Sequence, residues 1–120
     1  QMLFNIAIHN TDDHLRNFEM HFREGGWRLT PAYDLVPGEP GEIYHATRFG
    51  YAEFVDSWED ILKITKAFRL NAKEAEEIRN RILDQVNQLA SIISNSGIND
   101  RDGQWLDQLI KQHTQLLPSH

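Results

Sequence analysis

The sequence contains no cysteine, no long apolar run and no excess of positive charge, and each absence excludes a class of protein. Without cysteine, the chain has no disulfides, thiolate metal sites or cysteine nucleophile. No stretch approaches the ~20 apolar residues of a membrane span, and residues 1–22 lack the basic start and cleavage site of a signal peptide. We therefore predict a soluble, cytoplasmic protein that has no contact with membranes.

The charge balance argues against direct binding of nucleic acid by this chain. Lysine and arginine total 12 against 18 acidic residues, a formal charge of −6, whereas nucleic-acid binding depends on cationic side chains that neutralise phosphates. The 120 residues, 40% of them hydrophobic, suit one globular domain. We predict a single domain over residues 1–120. Because the chain opens in an apolar run, we also expect it to be a segment of a longer protein.

Hydrophobic periodicity predicts a mainly α-helical fold with one short β-hairpin. Residues 2–8 are apolar nearly all round, which is typical of the last turns of a buried helix, although a short buried strand fits the same run. Alternating polarity over residues 18–30, interrupted by Glu24-Gly25-Gly26, predicts the hairpin. Its predicted inner face consists of Phe18, Met20, Phe22, Trp27 and Leu29.

The second half of the chain is predicted to be helical. Residues 38–56 show no strong period and are predicted as loop, whereas residues 57–120 form a helical subdomain. Its helices are expected to begin at Ser57, Asn71 and Asp102. Asn71 and Glu74 have the spacing of a capping box. The core-facing residues of the last two helices are Ala75, Ile78, Ile82, Val86, Leu89 and Ile93, then Trp105, Leu106, Leu109, Ile110, His113 and Leu116.

A concentration of polar side chains at residues 10–17 is the first candidate for a functional site. Asp12 and Asn17 are five positions apart, and Asp34 follows the hairpin. Two carboxylates and an amide oxygen form the incompletely filled oxygen set that Mg²⁺ favours when phosphates complete its coordination. Asp-x-x-x-x-Asn is also the spacing of protein-kinase catalytic loops. The cluster therefore favours phosphoryl transfer.

Structural roles also remain open for several of these side chains. Asp12 and Asp13 could cap a short helix at residues 13–17. We assign catalysis to Asp12, which holds the five-residue spacing, and expect Asp13 to be a cap or a solvent-facing neighbour. His14 is expected to orient a neighbour through a hydrogen bond rather than to bind zinc, and Arg16 fits either a salt bridge or a phosphate contact. His9 and His21 lack convergent partners and are expected to have ordinary structural roles, and His113 is expected to line the edge of the helical core.

Two segments together carry a specific resemblance to a known family. Thr11-Asp12-Asp13-His14-Leu15-Arg16-Asn17-Phe18, followed by Trp27-Arg28-Leu29-Thr30-Pro31-Ala32-Tyr33-Asp34-Leu35, resembles the C-terminal domain of the HipA family of bacterial serine/threonine kinases. The best known members of that family are toxins of toxin–antitoxin modules. The resemblance implies the helical C-lobe of a protein-kinase-like fold, incomplete here, with the catalytic loop, hairpin and metal-binding turn in residues 1–37.

The resemblance also implies roles, cofactors and partners. Asp12 matches the catalytic aspartate, Asn17 and Asp34 match the Mg²⁺ ligands, and the supporting positions are Thr11, His14, Arg16 and Tyr33. The whole protein would transfer the γ-phosphoryl group of ATP to a Ser or Thr hydroxyl of a protein substrate, and would pair with an antitoxin protein. These 120 residues contain no phosphate-cradling loop and no nucleotide-binding lysine. Because phosphoryl transfer depends on positioning, we expect the segment alone to be inactive.

Two other functional classes are compatible with the same residues. A metal-dependent phosphoesterase or nuclease would use Asp12, Asp13, His14 and Asp34 around two metal ions to activate water. A non-catalytic module would instead use its helices to dock a partner, with the polar cluster as a remnant.

Overall fold

The computed structural model describes residues 1–39, 41–42, 44–50, 55, 57–115 and 117. Within these residues the fold is mainly α-helical with one antiparallel hairpin, which confirms the predicted class. The elements in chain order are α1 (Met2–Ala7), a 3-10 helix (Leu15–Asn17), β1 (Met20–Arg23), β2 (Gly26–Leu29), α2 (Trp58–Ile64), a second 3-10 helix (Thr65–Phe68), α3 (Ala72–Asn95) and α4 (Asp100–Thr114). No helix in this described part of the chain combines the length and the apolarity needed to cross a membrane.

Helix α1 lies at the centre of the packing, because it contacts both α3 and α4, which also contact each other. The apolar run at residues 2–8 is therefore the buried helix that its composition predicts. Its buried apolar residues share one core with α2 and with the facing sides of α3 and α4. That core contains Leu3, Ile6, Ala7, Ile8, Phe49, Val55, Trp58, Ile61, Ala75, Val86, Ile110 and Leu117. The polar segment at residues 10–17 thus leaves directly from the centre of the fold.

Helix α3 follows its sequence signals closely. The Asn71 side chain accepts a hydrogen bond from the Glu74 backbone N–H at 3.0 Å, and the Glu74 carboxylate accepts one from the Asn71 N–H at 2.8 Å. This is the predicted capping box. The helix ends at Asn95, two residues before Gly97, whose φ of 77° lies in the left-handed region. All six predicted core-facing residues of this helix belong to the core or pack against it.

Helix α4 starts two residues earlier than its predicted start at Asp102. The Asn99 side chain accepts a hydrogen bond from the Asp102 N–H at 2.9 Å, so Asn99 is the N-cap and Asp102 already lies in the first turn. Trp105, predicted to face the core, is 44% exposed. At 100° per residue it lies at the edge of the apolar stripe rather than at its centre. Leu116, also predicted to face the core, lies outside the described residues.

The hairpin has the predicted shape, but its apolar face is not buried. Met20 pairs with Leu29 and Phe22 with Trp27, so these four side chains share one face. All four are more than half exposed, which contradicts the predicted inner face. A two-residue turn at Glu24 and Gly25, both at positive φ, connects the strands. Alternating polarity predicts which side chains lie on a common face of the hairpin. In the described part of the chain, no other element packs over the apolar face.

Candidate active site

The polar segment begins at a tight reversal of the chain just after α1. His9 adopts a φ of 57°, in the left-handed region. Beyond it, the Asn10 N–H donates to the Asn5 carbonyl at 2.8 Å, and the Asn10 side-chain amide donates to Asn5 Oδ1 at 3.2 Å. Both asparagine side chains are buried. The segment that carries the candidate residues is therefore anchored to the central helix.

Asp12 and Asn17 are directly connected. The Asn17 side-chain amide nitrogen donates to the Asp12 backbone carbonyl at 3.1 Å, which leaves the amide oxygen of Asn17 as a possible metal ligand. The Asp12 side chain is 80% exposed, and its Oδ1 lies 3.8 Å from His14 Nε2. His14, without a side-chain cap, is the N-cap of the 3-10 helix. The alternative in which Asp12 and Asp13 cap a helix here is therefore wrong.

Tyr33 anchors the turn that carries Asp34 to the segment that carries Asp12. The Tyr33 hydroxyl donates to the Arg16 backbone carbonyl at 2.8 Å, which ties the turn after the hairpin to the 3-10 helix. Asp34 itself has a φ of 54°, a conformation that aspartate adopts more readily than most residues. Asp12 and Asp34 both line a cleft of about 1070 Å³. Asn17 is not among the residues that line this cleft, but it is hydrogen-bonded to the backbone of Asp12, which does line it.

Asp13 is neither a cap nor exposed to solvent, contrary to prediction. It is 2% exposed, and its carboxylate accepts hydrogen bonds from His45 Nδ1 at 3.1 Å and from the Thr47 N–H at 3.0 Å. The Thr47 hydroxyl donates to the Asp13 backbone carbonyl. Asp13 thus fastens residues 45–47 against the polar segment at residues 10–17. Sequence reasoning missed His45 and Thr47 because no local spacing connects positions more than 30 residues apart.

The same contacts limit which metal sites are possible. Asp13 faces His45 and Thr47, so its carboxylate is committed to them rather than to the cleft. No group of three His, Cys, Asp or Glu side chains that could hold a metal ion occurs among the residues that the structure describes. A four-ligand, two-metal centre built from Asp12, Asp13, His14 and Asp34 is therefore not assembled. A cation bound by two protein oxygens, phosphate oxygens and water remains compatible with the cleft.

Thr11 also lines the cleft and connects the polar segment to residues 42 and 46. Its hydroxyl donates to Glu42 Oε2 at 2.5 Å, and its backbone carbonyl accepts a hydrogen bond from the Ala46 N–H at 2.9 Å. Both Glu42 and Ala46 line the cleft. Of the four predicted supporting residues, Thr11 and Tyr33 therefore hold separate stretches of the chain together through hydrogen bonds. Arg16 is exposed and contributes its backbone carbonyl, and His14 lies beside Asp12.

Gly38, four residues after Asp34, packs closely against the backbone of His9 and the side chain of Thr11. Its N–H donates to the His9 carbonyl at 2.6 Å. A Cβ atom at this position would lie 2.2 Å from Thr11 Oγ1 and 3.0 Å from the His9 carbonyl oxygen. Contacts this short force the two segments apart, so the wall of the cleft requires glycine here.

Gly38→Ala should therefore destabilise the chain by about 1–3 kcal/mol, the cost of overpacking a close contact. Gly26→Ala is the matched control, because its added Cβ would meet no atom within 4 Å and its φ is not positive. Urea unfolding of both variants measures the difference. An equal effect of the two substitutions would show that the approach of Gly38 to Thr11 is not a constraint.

His9 does have convergent partners, contrary to the sequence prediction. It is 3% exposed, and its Nε2 lies 3.1 Å from the Glu39 carbonyl oxygen. Its ring stacks on that of His113 from α4, with 3.7 Å between the centroids and 14° between the planes. Burial, followed by electrostatic effects of His9 and His45, lowers the pKa of His113 to about 4. His113 is therefore neutral near pH 7.

Comparison with known proteins gives one family match. A family model described as the HipA-like C-terminal domain matches residues 1–90. The matched range contains α1, the polar segment, the hairpin, the cleft and most of α3, whereas α4 lies beyond it. No curated protein matches the chain.

Proposed function

Because this chain belongs to the family of HipA-like C-terminal domains, we propose that it supplies the metal-binding and hydroxyl-orienting part of a serine/threonine kinase active site. The observation that carries the proposal is the convergence of Asp12 and Asp34 on one cleft, with Asn17 bonded to the backbone of Asp12. These are the three residues that the Asp-x-x-x-x-Asn motif and the turn after the hairpin contribute.

Each residue has a role that suits its surroundings. Asp12, whose side chain is 80% exposed, would accept the proton of a Ser or Thr hydroxyl as the hydroxyl oxygen attacks the γ-phosphorus of ATP and ADP leaves. The Asn17 amide oxygen and the Asp34 carboxylate would hold Mg²⁺, which neutralises charge on the phosphates when bound. Two protein oxygens are enough, because Mg²⁺ usually keeps several waters and substrate phosphate oxygens.

ATP would be held mainly outside these residues. The 120-residue sequence contains no glycine-rich phosphate loop and no lysine in a nucleotide-binding motif. Phosphoryl transfer depends on positioning the nucleotide, so we expect the isolated chain to be nearly inactive. Family membership further suggests a role in toxin–antitoxin biology, with a protein as phosphoacceptor and an antitoxin as partner.

The contacts of Asp13 also bear on the phosphoesterase alternative. That reaction would use Asp13 as a metal ligand beside Asp12, His14 and Asp34. The Asp13 carboxylate is buried and bonded to His45 and Thr47. The kinase proposal needs no metal ligand at this position, so the geometry favours it over two-metal hydrolysis.

Metal binding can be tested on the chain itself by titrating paramagnetic Mn²⁺ as a substitute for Mg²⁺ and recording amide NMR spectra. We expect signals of residues 10–17 and 33–36 to broaden first. Asp34→Asn should weaken the apparent affinity by about tenfold or more, because it removes a charged ligand. Glu77→Gln removes an exposed carboxylate on α3 and is the matched control. Broadening centred elsewhere, or unchanged by Asp34→Asn, would refute the assigned ligands.

A further inference from the structure

We infer that His113 on α4 is a positioning residue for this active site and acts through its stack on His9. The inference rests on the proposed function, because the site that it positions is the cleft between Asp12 and Asp34. It goes beyond the family match, which ends at residue 90 and so assigns nothing to α4.

His9 is the residue at which the two carboxylate-bearing segments meet. Its backbone carbonyl accepts a hydrogen bond from the Gly38 N–H at 2.6 Å, and its ring Nε2 lies 3.1 Å from the Glu39 carbonyl oxygen. Asp12 is three residues after His9, and Asp34 is four residues before Gly38. A shift of His9 would therefore move both walls of the cleft relative to each other.

His113 is the contact that holds the His9 ring from the side of α4. The rings lie nearly parallel at a centroid distance of 3.7 Å, and His9 itself is buried. Stacking of this kind favours two rings that are not both charged. The low pKa of His113, about 4, meets that condition near neutral pH. Burial is the largest cause of this low pKa, and the titratable groups that add to it are the facing His9 and His45.

A shared metal ion does not explain the pair. Imidazole binds metals through nitrogen lone pairs that lie in the ring plane, whereas these rings face each other with only 14° between their planes. Their lone pairs therefore do not converge on one point. The stack instead holds the chain reversal at His9 against α4. The backbone of His9 has a φ of 57°, a conformation that persists only when surrounding contacts hold it.

The test compares His113→Ala with His113→Phe, which retains a stacking ring but no titratable group. Gln112→Ala, an exposed change on the same helix, is the control. In the alanine variant, we expect hydrogen-exchange protection of the Gly38 amide to fall by about tenfold and Mn²⁺ affinity by about three- to tenfold, near the lower end of effects seen for groups behind metal ligands. The phenylalanine variant should restore both, and Gln112→Ala should change neither.

Unchanged protection of Gly38 in a folded His113→Ala variant, or a phenylalanine variant no better than alanine, would overturn the inference. If the alanine variant does not fold, the phenylalanine variant decides: it should fold with wild-type protection of Gly38, and a loss of that protection refutes the role. Failure of the wild-type chain to bind Mn²⁺ would count against the proposed function but would leave the Gly38 measurement valid.

Discussion

Replacing Asp13 with alanine should destabilise the chain by about 3–5 kcal/mol, whereas the same change at the adjacent Asp12 should alter the free energy of unfolding by less than about 0.5 kcal/mol. The two carboxylates differ in their surroundings. Asp13 is 2% exposed and accepts hydrogen bonds from His45 and Thr47, so its removal leaves buried donors without an acceptor. The Asp12 side chain is 80% exposed.

Urea unfolding of the two alanine variants, followed by circular dichroism, measures this difference directly. Asp13→Asn is a useful third variant, because its amide oxygen can still accept from the Thr47 N–H while the negative charge beside His45 is lost. We expect its stability to lie between that of the wild type and that of Asp13→Ala. Similar decreases in the free energy of unfolding for Asp12→Ala and Asp13→Ala would contradict the prediction that only Asp13 stabilises the fold.

The parts of the fold that sequence reasoning predicts well are those that depend on local signals. The capping box of Asn71 and Glu74 and the positive-φ turn of the hairpin each involve residues a few positions apart. The buried character of α1 likewise follows from seven consecutive residues. In each case the hydrogen bonds or the apolar face are decided by neighbours in the chain, so a single sequence contains the relevant information.

The parts that the sequence could not predict depend on pairings between distant residues. Asp13 looks like its neighbour Asp12 in the sequence, and only the return of residues 45–47 makes it a buried anchor. His9 looks isolated until α4 brings His113 onto its ring. For the hairpin, alternation indicates a shared apolar face but cannot say whether another part of the fold covers it, and Trp27 is 67% exposed.

These long-range contacts sharpen the picture of the candidate site. Thr11, Asp13 and Tyr33 each connect the polar segment at residues 10–17 to a later stretch of chain. The Asp12 side chain, in contrast, is 80% exposed, and its Oδ1 lies 3.8 Å from His14 Nε2. An exposed carboxylate whose backbone carbonyl is hydrogen-bonded to Asn17 suits the proposed role of accepting a proton from substrate.

Asp12→Asn should therefore reduce phosphoryl transfer by about 10²–10⁴-fold, the usual contribution of a general base, while leaving stability unchanged. The assay uses the gene product that carries this chain and follows transfer from radiolabelled ATP to protein Ser or Thr, including autophosphorylation. Asparagine keeps the size of the side chain but is a far weaker proton acceptor, so the loss should appear in kcat rather than in the KM for ATP.

Three comparisons make this result specific to catalysis. Asp12→Asn should retain the Mn²⁺ response of the chain, since the assigned metal ligands are Asn17 and Asp34, whereas Asp34→Asn should lose both metal binding and activity. Glu77→Gln, exposed on α3, should change neither. Phosphoryl transfer that survives Asp12→Asn at near wild-type kcat would remove Asp12 as the base. Loss of activity accompanied by loss of stability would instead place Asp12 with Asp13 among the residues that hold the fold together.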